Sequence, residues 1–195
     1  MELAKKYDSY IISDEAYRPL NQGEVYSESL ADLYEKGISI STLSKICSIP
    51  GVRIGWFATR DDELRDHAIR HREYSTVSCS IIDEYISDIA LGVVDKIIKR
   101  NVELVSKNLQ TLDEIINRCE GLRYVRPGGG TTALIHFDLN LDSFTLAMEL
   151  QKDVGVYVVP GDTFEIPNSF RVGTTVNPET FKTAMLRIEE YFNKK

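Results

Sequence analysis

Cysteine is scarce in this chain of 195 residues: Cys47, Cys79 and Cys119 stand far apart and form no CxxC pair. That spacing excludes a disulfide framework and a cysteine-rich zinc site. A basic excess is also lacking, since the net charge is -7 at pH 7. Phosphate backbones are bound by clustered Lys and Arg, so nucleic acid is not the expected main partner. No apolar run approaches the ~18 residues needed to span a bilayer, and the opening MELAKKYDSY scatters charges where a secretory signal would be apolar. No membrane association is expected, and a reducing, cytoplasmic setting is the default. Histidine is rare as well. His67 and His71 lie four apart on a helical stretch, but HAIRH lacks the glutamate of H-E-x-x-H and no third ligand is evident, so no metal site is expected.

What is present suits a folded protein, with 43% hydrophobic and 27% charged residues. MELAKKYDSY reads as the last turns of a helix. Tyr10-Ile11-Ile12 suits a buried strand of a parallel sheet, with Asp14 at its carboxyl end. The alternating run Ile38-Ser39-Ile40-Ser41 predicts a second strand ending near Lys45. After the turn signal Pro50-Gly51, a third strand is expected over Arg53–Thr59. Asp61-Asp62 opens a helix carrying Leu64, Ala68 and Ile69. Another helix is expected over Ile81–Gly92, with Ile82, Ile86, Ile89 and Ala90 at helical spacing. A long one runs over Val93–Cys119, ended by Gly121. Strands are then predicted over Leu122–Val125, Thr132–Phe137, Val156–Val159 and Phe170–Val176, with helices over Phe144–Asp153 and from Pro178 to the end.

The chemistry concentrates in DEAY (Asp14–Tyr17) and in STLSKICSIPGVRIGW (Ser41–Trp56). Read alone, Lys45 is an exposed lysine at a strand end. Its neighbours add another reading. The hydroxyls of Thr42 and Ser44 and the guanidinium of Arg53 form a cradle for a phosphate, while Lys45 can condense with a carbonyl. Asp14 and Tyr17 add a carboxylate and a phenol from a second strand end, where ligands of open α/β sheets gather. Together these meet the needs of pyridoxal 5'-phosphate, with the carboxylate keeping the pyridine nitrogen protonated. Arg171, in SFRVG, reads either as a bidentate carboxylate ligand or as one side of a structural ion pair. Two other features carry little. Gly128–Ala133 fits G-x-G-x-x-A but leads into a strand, against the dinucleotide context, and Cys47 reads as a small buried hydrophobe.

DEAY and TLSK with PGVRIGW resemble the signatures of the class I/II aminotransferases of pyridoxal-phosphate fold type I, in order and spacing. The resemblance implies that Lys45 holds the cofactor's aldehyde and that Asp14 pairs with its ring nitrogen. It also implies that Tyr17 bonds the phenolic oxygen, that Thr42, Ser44 and Arg53 hold the phosphate, and that Arg171 grips a substrate α-carboxylate. The implied fold is α/β: the C-terminal part of a large domain with a mainly parallel sheet over residues 1–95. A small α+β domain follows over residues 96–195, entered through the long helix.

The family's upstream elements, namely a phosphate-binding glycine turn, an aromatic stacked on the ring and an asparagine near the phenolic oxygen, have no counterpart here. The chain is therefore expected to be a truncated or split C-terminal half. Its uncovered sheet is expected to seek a missing N-terminal half or a second copy. The implied activity is transfer of an amino group between an amino acid and a 2-oxo acid. The alternatives are a pyridoxal-phosphate-dependent lyase or cyclase, and an inactive fragment that needs its partner.

Overall fold

The computed structural model, which describes residues 1–23 and 28–195, divides into two units, Met1–Arg100 and Asn101–Lys195. In the first unit a short helix, α1 (Glu2–Lys6), precedes strand β1 (Ile11–Asp14) and a tight turn at Arg18–Leu20. Helix α2 (Leu30–Leu33), strand β2 (Gly37–Thr42) and helix α3 (Leu43–Ile46) come next. A turn at Pro50–Val52 leads into β3 (Gly55–Thr59), and helices α4 (Asp62–Arg72) and α5 (Ile81–Leu91) complete the unit. The long helix α6 (Val94–Ile116) begins here, and the division between units falls within it.

Among the described residues the first unit has a mixed three-stranded sheet in the order β1-β2-β3. β1 and β2 run parallel, with Ile11 opposite Gly37 and Asp14 opposite Ile40. β3 runs antiparallel to β2, Thr42 facing Gly55 and Ile38 facing Thr59. This corrects the expectation of a mainly parallel sheet. A parallel return needs a crossover of a dozen or more residues that carries the chain back along the strand; α3 and the Pro50–Val52 turn only reverse its direction. Gly37 permits the close packing of α2 on β2, since a Cβ there would lie 2.4 Å from the Leu30 carbonyl oxygen.

Burial in this unit is thin. Leu43, Ile46, Cys47 and Ala90 form a small core with Ile49, Ile54, Val94, Ile97 and Ile98 at its margin. β1 is half-buried, and Ile12 is 65% exposed, where a fully buried strand was expected. α5 forms where the helical spacing predicts, with Ser80 as its cap. Yet its apolar positions Ile82 and Ile89 are 68% and 55% exposed.

The second unit contains the rest of α6, then β4 (Leu122–Tyr124), β5 (Thr132–Phe137), α7 (Ser143–Glu149), β6 (Val159–Pro160), β7 (Ser169–Gly173) and α8 (Pro178–Phe192). Its strands form an antiparallel sheet in the order β4-β5-β7-β6. α6 ends at Ile116, before the expected Cys119, and Gly121, at φ +82, turns the chain into β4. β6 is shorter than the run predicted over Val156–Val159, and β7 ends before Val176. The helix predicted over Phe144–Asp153 widens after Glu149 into a π turn (Leu150–Val154), closed by Gly155 at φ +68. Val105, Leu109, Leu112 and Ile115 of α6 recur at helical steps and bury against Ile135, Phe137, Phe170, Leu146, Met185 and Ile188. The Phe137 and Phe170 rings lie 6.4 Å apart at its centre. Asp142 and Asn177 cap α7 and α8 through the amides of Thr145 and Glu179.

Candidate active site

Strand direction gathers the candidate residues of the first unit. β1 and β2 are parallel, so their carboxyl ends lie at one edge of the sheet; β3 is antiparallel, so it starts there. Asp14 to Tyr17, Thr42 to Lys45 and Arg53 therefore all flank the same edge. This is the edge at which ligands collect in open α/β sheets.

Each side chain is held by local geometry. The Asp14 carboxylate is exposed and accepts the Ala16 amide at 3.0 Å, an Asx turn that stops β1. Thr42 is the N-cap of α3, where its hydroxyl accepts the Ser44 amide at 3.2 Å and donates to the Ile54 carbonyl at 3.1 Å. The Ser44 hydroxyl lies 3.0 Å from it. With its one proton engaged on Ile54, Thr42 ties the start of α3 to the entry of β3 and accepts from the Ser44 hydroxyl as well as from the Ser44 amide. Lys45, in the last turn of α3, is exposed, and its Nζ lies 5.6 Å from the centroid of the Tyr17 ring. That contact links the DEAY turn to the lysine.

Arg53 is in the left-handed region at φ +50, and its guanidinium donates to the Pro50 carbonyl at 2.8 Å. A bulky side chain there costs on the order of 1 kcal/mol or more, and such conformations cluster at functional sites. Cys47 is buried in the small core, where burial pushes its thiol up from the ordinary value; it packs as a hydrophobe.

Arg171 lies in β7 of the second unit, opposite Leu134 of β5 and Val159 of β6. Its guanidinium lies 4.6 Å from the centroid of Phe164, a stacking contact. Among the described residues no carboxylate forms an ion pair with it. Phe164 went unnoticed in the sequence because nothing in GDTF marks a stacking partner seven residues ahead of the arginine.

Glu15 was also missed. Between exposed Asp14 and half-exposed Tyr17, it is a buried carboxylate, 8% exposed. It accepts the Ser39 hydroxyl at 2.7 Å, the Leu30 amide at 2.9 Å and the Ser29 hydroxyl at 3.1 Å, and Arg18 Nε lies 3.2 Å away. Burial alone would push its carboxyl up; these donors outweigh burial and hold it below the ordinary value. Glu15, Arg18, Ser39 and Ser41 border a cavity of about 200 Å³ that Leu43, Trp56 and Ile98 close. Asp14, Lys45 and Arg53 do not line that cavity.

The family model for aminotransferases of class I and II matches residues 1–188. The chain belongs to that pyridoxal-phosphate-dependent family. It is 28% identical over 192 residues to capreomycidine synthase of Streptomyces vinaceus, covering 97% of this chain and 49% of that protein. It is 26% identical over 200 residues to an aspartate aminotransferase of Thermotoga maritima, covering 100% of this chain and 50% of that one. A crystal structure of a PLP-dependent aminotransferase from Streptococcus suis 89-1591 superposes with a TM-score of 0.92 at 29% identity, covering 99% of this chain and 51% of that one. The chain thus spans about half the length of the relatives it matches. Among the described residues no helix is long and apolar enough to cross a membrane.

Proposed function

We propose that this chain carries part of the active site of an aminotransferase that moves an amino group between an amino acid and a 2-oxo acid, with pyridoxal 5'-phosphate as cofactor. The observation that carries the reading is the convergence of Asp14, Tyr17, Ser44, Lys45 and Arg53 on one sheet edge, produced by a parallel pair followed by an antiparallel strand. The donor set fits the cofactor: an amine for its aldehyde, a guanidinium and hydroxyls for its phosphate, a carboxylate for its ring nitrogen. When bound, the cofactor supplies an electron-accepting ring that stabilises negative charge at the substrate's α-carbon.

The chain's own residues do the rest. Asp14 holds a proton on the ring nitrogen, and the Tyr17 hydroxyl donates to the phenolic oxygen. Arg53 and Ser44 would hold the phosphate, the Ser44 hydroxyl turning to it from Thr42, which stays bonded to Ile54. Lys45 Nζ would hold the cofactor's aldehyde and, when free, would take a proton from the substrate's α-carbon and give it back, as general base and then acid. Arg171, in the second unit, carries a planar fork that suits a carboxylate, its face supported by Phe164. The N-terminal unit is the cofactor-binding part. Its exposed apolar surface is covered in the working enzyme by polypeptide outside this sequence, a complementary half or a second copy.

A second reading has support in the relatives: one of the similar proteins is named a synthase and not an aminotransferase. The same residues would then serve a lyase or a cyclase. The test is direct. Pyridoxal phosphate mixed with the purified chain should develop a visible absorbance band that Lys45→Ala abolishes; a band that persists in Lys45→Ala overturns the role of Lys45. Product analysis with labelled amino acids then separates transfer from elimination or cyclisation.

A further inference from the structure

Glu15 stands one residue from Asp14 and two from Tyr17, yet its side chain turns the opposite way, into the protein. Its carboxylate joins three separate pieces of chain. Ser39 reaches it from the middle of β2, Ser29 and Leu30 from the start of α2, and Arg18 from the turn that follows Tyr17. The backbone is fixed with it. The Glu15 amide donates to the Ile40 carbonyl at 2.7 Å, extending the β1–β2 pairing one residue past Asp14, and the Glu15 carbonyl accepts the Arg18 amide at 3.0 Å, closing the turn that contains Tyr17. Such a group cannot be displaced cheaply: removing an acceptor from a buried ionic network strands several donors at once.

We propose that Glu15 is the positioning residue of this site: through Ser39, Leu30 and Arg18 it sets the direction of Asp14 toward the cofactor's ring nitrogen and of the Tyr17 ring beneath Lys45. It does not touch the cofactor. The proposal rests on the pyridoxal-phosphate reading above. Its physical core is the reach of a bound group: when Asp14 and Tyr17 must meet fixed atoms of a rigid ring, an error of about 1 Å is costly, and the turn that carries both is tied to β2 and α2 through one buried carboxylate.

Glu15→Gln tests this. The amide keeps the shape but replaces one acceptor with a donor facing the Ser39, Ser29 and Leu30 donors. Three quantities are measured on the chain: its thermal midpoint, the dissociation constant for added pyridoxal phosphate, and the pH midpoint of the Lys45-dependent visible band. The expected result is roughly tenfold weaker binding, the equivalent of one charge-assisted hydrogen bond, with a displaced pH midpoint for the band. Should E15Q fail to fold, Ser39→Ala removes one donor at 2.7 Å and is expected to move the same two quantities in the same direction by less. A lowered thermal midpoint with binding and pH midpoint unchanged makes Glu15 a structural residue only and overturns the proposal. A wild-type chain without the Lys45-dependent band overturns the cofactor reading, and this proposal with it; a wild-type band left unmoved in both variants overturns the proposal alone.

Discussion

The two units are of similar length and opposite economy. In Asn101–Lys195 the apolar faces of α6, α7 and α8 close over the antiparallel sheet, and Phe170, Ile135, Leu109 and Ile188 are fully buried. In Met1–Arg100 the small core leaves Ile81, Ile82, Tyr85 and Ile89 of α5, with Trp56 and Phe57 of β3, open to solvent. The unit that completes its own core carries one candidate residue, Arg171; the unit that does not carries the rest. The candidate cofactor residues therefore belong to the unit with the smaller core and the larger exposed apolar surface.

The sharpest way to break this contrast is to truncate one apolar side chain in each unit. Phe170→Ala should cost about 3–5 kcal/mol, as expected for a buried phenylalanine, read as the loss of urea stability of the second unit. Ile82→Ala should stay within about 0.5 kcal/mol. If Ile82→Ala costs as much as a core truncation, the α5 face is covered in solution by a second copy and the contrast fails.

Acid and alkali sharpen the same comparison. The folded state of the first unit favours ionised Glu15, so its contribution is complete above the unfolded carboxylate value of about 4.3 and is lost as pH falls through the lower folded value. In the second unit burial, followed by the hydrogen bond to the Asp113 carboxylate, raises the Tyr124 phenol above its ordinary value. That contribution is complete below about 10 and is lost as pH rises through the folded value. Peptide-resolved hydrogen exchange should show a flattened acid limb for residues 1–100 in Glu15→Gln and a flattened alkaline limb for residues 101–195 in Tyr124→Phe. Equal acid slopes for wild type and Glu15→Gln would remove Glu15 from the stability of the first unit.

The smallest effect concerns helix caps. Asp142 caps α7 through the Thr145 amide at 2.9 Å and its hydroxyl at 2.7 Å, and Asp142→Ala should cost ~1 kcal/mol. Ser80 caps α5 at 3.4 Å, and Ser80→Ala should cost only a few tenths, the bond being long and exposed. Thermal melts of the two variants compare them directly.

Legibility followed the range of the forces involved. The helices over 62–72, 81–91 and 178–192 were visible because caps and a 3.6-residue period act between near neighbours. Lys45, Asp14 and Arg53 were visible as a set because an amine, a carboxylate and a guanidinium beside hydroxyls state their chemistry without coordinates. Glu15 and Phe164 were not. A carboxylate in DEAY carries no sign that Ser39, distant in sequence, will bury it, and a phenylalanine in an irregular turn carries no sign that an arginine will stack on it.

The sequence by itself determined the local elements, the residue types that converge and the family to which they belong, since these depend on spacing and side-chain chemistry. Tertiary structure alone decided that β3 returns antiparallel and brings Arg53 to the Lys45 edge, that adjacent Asp14 and Glu15 face solvent and core respectively, and that the well-patterned face of α5 stays uncovered. Strand direction and burial are set by contacts between residues far apart in the chain, and periodicity reports which side of an element is apolar without saying what covers it.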